Sequence, residues 1–293
     1  MSLLTESVES FDGAVPESTL STFTATDGDN IAVQDWPRAA GTALRGVVVV
    51  VHGLGEHAGR YDKLAQRLNA WGFAVRGYDQ YGHGESGGPR GGLSTDDRLL
   101  VDLADIIDSA RNRMEKHAPL ILLGHSMGGL VAARFVALGL RPVEALVLSS
   151  PALDPGLSAV QKMLVAVLPK VIPNLQVSNA LDATKISHDP AVVKAYQSDR
   201  LVHDRISARL ARFIADGGPA TVAAAPGWKV PTLLMYAGAD ALVNPAGSRA
   251  FSAAAPQAVV TTRCFEGLYH ELFNELEAEL VFAELKGWLD ARF

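Results

Sequence analysis

The sequence predicts an α/β fold: a mainly parallel β-sheet with helices on both faces and a helical segment inserted past its middle. Three observations carry this expectation. Short aliphatic runs alternate with stretches of helical periodicity, as parallel strands joined by crossover helices require. One run, RGVVVVVHG at residues 45 to 53, is almost wholly apolar, the pattern of a strand covered on both faces. The alternation also stops after Pro151 and resumes at VPTLLMYAG, residues 230 to 238.

Taken in order, residues 1 to about 18 are polar and expected to be loose. Residues 18 to 36 read as a hairpin, with alternating patterns on both sides of an Asp27-Gly28 turn. The strand at 45 to 53 follows, then a helix over Arg60 to Trp71 and the strand FAVRGYD, residues 73 to 79. Residues 96 to 117 place Leu99, Leu103, Ile106 and Ala110 at helical spacing. PLILLGH is a strand, MGGLVAARFVALG a helix and VEALVLSSP another strand. Residues 153 to 227 show no convincing strand; an apolar stripe interrupted by Pro169 and Pro173 makes this insertion mostly helical. The remainder, residues 1 to 152 and 228 to 293, would form the core. It closes with the strand VVTTRCFEG and a helix from about Phe273 to Phe293.

Composition removes several classes of function. Apolar residues make up 48% and charged residues 20%, as in ordinary globular domains. A net charge of −6 argues against nucleic acid as a partner. The single cysteine, Cys264, allows no intrachain disulfide and reads as a small apolar residue on a strand. The acidic start, MSLLTESVESFDG, has neither the basic head nor the apolar stretch of a secretion signal. No apolar run approaches the roughly 18 residues of a membrane span. The expected location is therefore cytoplasmic, with attachment to a membrane surface left open. Neither H-E-x-x-H nor C-x-x-C spacing occurs, nor a phosphate-binding loop, so neither metal nor cofactor is expected.

The chemistry is carried by G-x-S-x-G, which occurs twice. The motif counts when a strand leads in and a helix leads out. Ser126 meets the condition, between Leu120–Leu123 and Met127–Leu138. Glycines at 124 and 128 would let neighbouring backbone pack around a sharp turn that lifts the hydroxyl above the sheet. Ser86 fails, because it lies in the loop DQYGHGESGGPRGG. A serine needs a base, and in this architecture the order is Ser, acid, His. Of the histidines after Ser126, His188 and His203 fall in the insertion. His270 lies between the last strand and the last helix and is the expected base. Asp240, just after the strand PTLLMYAG, is the favoured acid, with Asp154 as rival; Glu266 is too near His270 in the chain. The oxyanion donors would be the backbone N–H groups of Met127, at a helix N-terminus, and Leu54, in the loop HGLGEH. Glu56 and Arg60, four residues apart, are expected to pair, the alternative being contact with a polar head group. His52 and His83 would brace loops.

Together HGLGEHAGRY, YDQYGHGESGG, GHSMGG, GADALV and YHELFNE resemble the α/β-hydrolases of the monoacylglycerol lipase and lysophospholipase type, over nearly the whole chain after residue 20. The resemblance implies the α/β-hydrolase fold, with Ser126, Asp240 and His270 as triad and Leu54 and Met127 as the oxyanion hole. It further implies that residues 153 to 227 form a cap over an acyl tunnel. DPAVVKAYQSDRLVH, residues 189 to 203, is similar to the family's lid region. The stripe Leu157, Met163, Leu164, Val167, Leu168, Val171, Ile172 could line a pocket, touch a lipid surface transiently, or pack the cap on the core.

The expected function is hydrolysis of a small-molecule acyl ester, a monoacylglycerol or lysophospholipid, through an acyl-enzyme and without a cofactor. An aminopeptidase, an acyltransferase and a perhydrolase could use the same triad. A non-catalytic binding module on the same scaffold is the alternative from another class. Oligomeric state has no signature in the sequence.

Overall fold

The computed structural model describes residues 17–38, 41–115, 117–154 and 156–293; the loose segment expected before residue 17 lies outside them. An eight-stranded sheet runs through the molecule. The hairpin forms its edge: β1 (Thr19–Thr24) pairs antiparallel with β2 (Asn30–Trp36). Next to β2 lies β4 (Phe73–Tyr78), again antiparallel. From there the sheet is parallel: β3 (Gly46–Val51), β5 (Leu120–His125), β6 (Ala145–Ser149), β9 (Thr232–Ala237) and β10 (Val260–Phe265). The carboxyl ends of β3, β5, β9 and β10 therefore share one rim, and every candidate site residue follows one of these four strands.

Strand composition explains the layering. All six residues of β3 are buried. Val49 and Val51 feed one core, and Val48 and Val50 feed the other, on opposite faces. Full burial of each valine is worth about 1.5 kcal/mol or more. In β5 and β9 the same period of two sends Leu122 and Leu234 to the first core, Leu123 and Leu233 to the second. The first core is covered by α2 (Arg98–Arg113), α3 (Ser126–Ala137), α6 (Ala208–Ala224) and α7 (Pro245–Ala254), through Leu103, Leu130, Leu210 and Phe251. The second is covered by α1 (Asp62–Ala70) and α8 (Ala278–Asp290), through Leu64, Leu68, Val281 and Phe282. The α/β-hydrolase fold is thus present, with its helical insertion between β6 and β9.

That insertion holds α4 (Ala159–Val171), β7 (Gln176–Ser178), α5 (Pro190–Ser198), β8 (Arg205–Ser207) and then α6. The antiparallel pair β7–β8 was not expected; each strand has three residues, too few for an alternating pattern to show. Pro169 falls in the last turn of α4 rather than ending it. The final helix begins five residues later than expected, because Leu272–Asn274 forms a separate 3-10 turn with Leu272 and Phe273 buried in place.

Candidate active site

Ser126 joins β5 to α3 at φ 53, a left-handed conformation unusual for a residue with a side chain. Such a conformation costs on the order of 1–3 kcal/mol and persists only where the surroundings enforce it. Here they do. A Cβ at Gly124 would lie 2.4 Å from the Gly128 carbonyl oxygen, and one at Gly128 would lie 2.1 Å from the Val51 carbonyl oxygen. The amide of Ala152 donates to the Ser126 carbonyl at 2.9 Å and pins the turn from the β6 side.

Asp240 follows β9 and His270 follows β10, and these strands are paired in the sheet. His270 Nδ1 donates to Asp240 Oδ2 at 2.6 Å, with both side chains nearly inaccessible. The other oxygen of Asp240 accepts from the amides of Leu242 at 2.9 Å and Val243 at 3.0 Å. Burial works to raise the Asp240 pKa, but the His270 ring and these hydrogen bonds outweigh it and hold the carboxyl below its ordinary value. With Nδ1 committed, the lone pair of a neutral His270 ring sits on Nε2. The rival carboxylates are engaged elsewhere. Asp154 accepts from Asn244 Nδ2 at 2.8 Å and from the Gly156 amide. Glu266 is exposed and lies against Gly238.

Ser126, His270, Leu54 and Met127 all line one cavity of about 170 Å³. Its remaining wall is largely apolar and includes Leu157, Val165, Leu181, Ile214 and Val243. The loop after β3 packs closely on the elbow: a Cβ at Gly53 would lie 3.2 Å from the Ser126 Cβ. The Gly53 amide is taken by Glu56 Oε1 at 2.6 Å, which leaves the next amide, Leu54, for a ligand. Met127 stands in the first turn of α3, where free N–H groups and the helix dipole favour developing negative charge.

Beside this cavity lies a polar network whose long-range half has no signal in the sequence. Arg60 pairs with Glu56, as the spacing suggests, but it also forks onto Glu271 with two bonds of 2.8 Å. Glu56 further accepts from Tyr61 Oη at 2.7 Å. Burial pushes the Glu56 carboxyl up; Arg60, ahead of His125 and His52, pulls it down to about 2. The His125 ring lies 4.7 Å from the His270 ring, tilted at 54°, donates from Nδ1 to the Ser149 carbonyl and is held at about 3, first by burial and then by that ring. His52 and His83 do brace loops. His52 accepts from the Gln80 amide and donates to the Gly53 carbonyl, and His83 donates to the Tyr81 carbonyl.

A strained serine at a strand–helix turn, a carboxylate-bound histidine beside the same cavity, and amides at a helix N-terminus form the arrangement that acyl transfer requires. Comparison with known proteins places it. The family model for serine aminopeptidases of type S33 matches residues 42–277. The chain belongs to this family of serine α/β-hydrolases. Within the family it is related to the monoacylglycerol lipases. It is 37% identical over 270 residues to the monoacylglycerol lipase of Mycolicibacterium smegmatis, covering 91% of this chain and 95% of that protein. The crystal structure of Paleococcus ferrophilus monoacylglycerol lipase superposes with a TM-score of 0.77 at 36% identity, covering 94% of this chain and 98% of that one. A soluble variant of the Saccharomyces cerevisiae monoglyceride lipase, solved with a substrate analog, gives a TM-score of 0.84 at 25% identity, covering 96% of each chain. The protein is accordingly a serine hydrolase acting on a small-molecule substrate.

Proposed function

We propose that this enzyme cleaves the carboxylic ester of a single-chain lipid, a monoacylglycerol or lysophospholipid. The reading is carried by one observation: the wall of the cavity beside Ser126 is largely apolar, with Ser126, Asn179 and His270 as its polar side chains. An acyl chain would lie along Leu157, Val165 and Ile214, with its carbonyl at Ser126. Ser126 Oγ attacks this carbonyl while His270 Nε2 takes the proton and Asp240 stabilises the imidazolium. The tetrahedral oxyanion is met by the Leu54 and Met127 amides, each worth about 3 kcal/mol in such sites. His270 returns the proton to the leaving alcohol, and water releases the fatty acid by the same steps. The aminopeptidase alternative is less well served, since an N-terminal ammonium calls for a carboxylate and none of the described residues lining the cavity is acidic.

The reading extends to the surroundings of the site. The apolar stripe of the insertion divides: Leu157 lines the cavity, whereas Met163, Leu164, Val167, Val171 and Ile172 are exposed. An exposed apolar helix face beside a lipid-binding cavity suits transient contact with a membrane surface by an otherwise cytoplasmic enzyme. The test is a substrate panel of monoacylglycerols of several lengths, lysophospholipids, triacylglycerol and amino-acid anilides. Single-chain esters are expected to turn over fastest, and Val171→Glu is expected to slow turnover on vesicles but not on a soluble ester. Faster cleavage of anilides than of esters would replace this reading with the peptidase one.

A further inference from the structure

We propose that Glu275 is a positioning residue that latches the inserted segment to the loop carrying His270. The proposal rests on His270 being the base and adds what holds it. The Glu275 side chain is wholly inaccessible. Its Oε1 accepts from the Tyr269 amide at 2.6 Å and from His188 Nδ1 at 2.9 Å, and its Oε2 accepts from the amides of His188 at 3.2 Å and Leu276 at 3.3 Å. One of these donors immediately precedes His270 in the chain; two belong to the insertion, 87 residues away.

The surrounding contacts repeat the pattern. The Glu271 amide, on the other side of His270, donates to the carbonyl of Ile186 at 2.8 Å. Ser187 Oγ donates to the Asn274 carbonyl at 2.8 Å, and the His188 ring stacks on Tyr269 with centroids 3.6 Å apart. Both backbone neighbours of His270 are therefore fixed by hydrogen bonds, one to Glu275 and one to the insertion. A buried carboxylate deprived of donors is costly. Undocking residues 186–188 would remove two of the four donors of Glu275, so this part of the insertion stays with the base as one body. Placement of the base to a fraction of an ångström is what the latch secures, since a misplacement of about 1 Å can cost roughly 10²-fold in rate.

The experiment compares wild type with Glu275→Ala, Glu275→Gln and His188→Ala, on p-nitrophenyl acetate and on a long-chain monoacylglycerol, with kcat expressed per folded molecule from thermal unfolding. Glu275→Ala is expected to lose about tenfold or more in kcat on both esters, with KM for the acetate changing less than about twofold. Glu275→Gln keeps an acceptor for Tyr269 and is expected to lose only about threefold, and it carries the test if the alanine variant fails to fold. His188→Ala is expected to raise KM for the monoacylglycerol. An unchanged kcat per folded molecule in the Glu275 variants, or an unchanged KM in His188→Ala, overturns the proposal. Ser126→Ala runs alongside: turnover that does not depend on Ser126 removes the reading of the site itself, whereas Ser126-dependent turnover indifferent to Glu275 removes the latch alone.

Discussion

Two segments of the chain spell G-x-S-x-G, residues 124 to 128 and 84 to 88, and each has a buried histidine within three residues of its serine. In the first, Ser126 itself takes the left-handed conformation and stands at a cavity wall. In the second, Ser86 Oγ donates to the Asp79 carbonyl at 2.5 Å and accepts from the Ala32 amide at 2.9 Å, which ties the loop to β2. Glycine is required in both places, for different reasons. Gly128 avoids the backbone of β3, whereas Gly88 has φ 93 and a Cβ there would fall 2.4 Å from the Tyr81 ring. Glycine content therefore does not separate the serine proposed as nucleophile from a structural one. What separates them is whether the hydroxyl already has a donor and an acceptor of its own.

Exchange of the two serines for alanine gives the largest contrast. Ser126→Ala is expected to lose at least about 10⁴-fold in kcat on a p-nitrophenyl ester. Ser86→Ala should keep most of the rate and instead lose about 1–3 kcal/mol of unfolding free energy, since it strands the Ala32 amide and the Asp79 carbonyl. The opposite pattern would reverse the assignment. Gly128→Ala comes next. Its methyl would meet the carbonyl oxygens of both Val51 and His52, at 2.1 and 2.3 Å, so the elbow or the loop after β3 must shift. A rate loss of about 10²-fold, with lowered thermal stability, is expected; a variant as fast and as stable as wild type would show that the elbow has slack.

The last contrast concerns two buried histidines, His125 next to Ser126 and His83 three residues before Ser86. Burial, with the His270 ring behind it, holds His125 at about 3, and burial drives His83 well below its ordinary 6.5. The unfolded chain takes up these protons near pH 6.5, while the folded chain does so only at lower pH. Stability is thus greatest above pH 6.5 and falls as the pH drops towards 3, by up to about 1.4 kcal/mol per pH unit for each such group. Urea midpoints at pH 7.5, 6 and 5 measure this; a midpoint that rises at pH 5 contradicts the burial of both rings as neutral species.

Much of the fold is legible in the sequence alone, and the reason is local. The valine run of β3 and the strand–turn–helix context of Ser126 declare themselves within about ten residues. The acid was ambiguous between Asp240 and Asp154, because both follow sheet strands and only the approach of β9 to β10 decides which carboxylate meets the ring. The partners of Arg60 and Glu275 were invisible for a related reason. Glu56 lies four residues from Arg60, but Glu271 lies 211 residues away, and no periodicity links them. β7 and β8 are set by docking on the core: Ser207 donates to the Gly91 carbonyl and His203 to that of Gly55, contacts that belong to other loops.

The chain leaves β6 at the carboxyl rim and must cross to the opposite edge to enter β9, which lies parallel to it. α6 alone accomplishes this crossing, packed through Leu210 and Ile214 into the central core. The fifty-odd residues that precede it perform no topological task. Apart from residues 186–188, which the proposed latch ties to the His270 loop, they can be rewritten by selection, or swapped between relatives in the laboratory, without altering the path of the chain through the sheet.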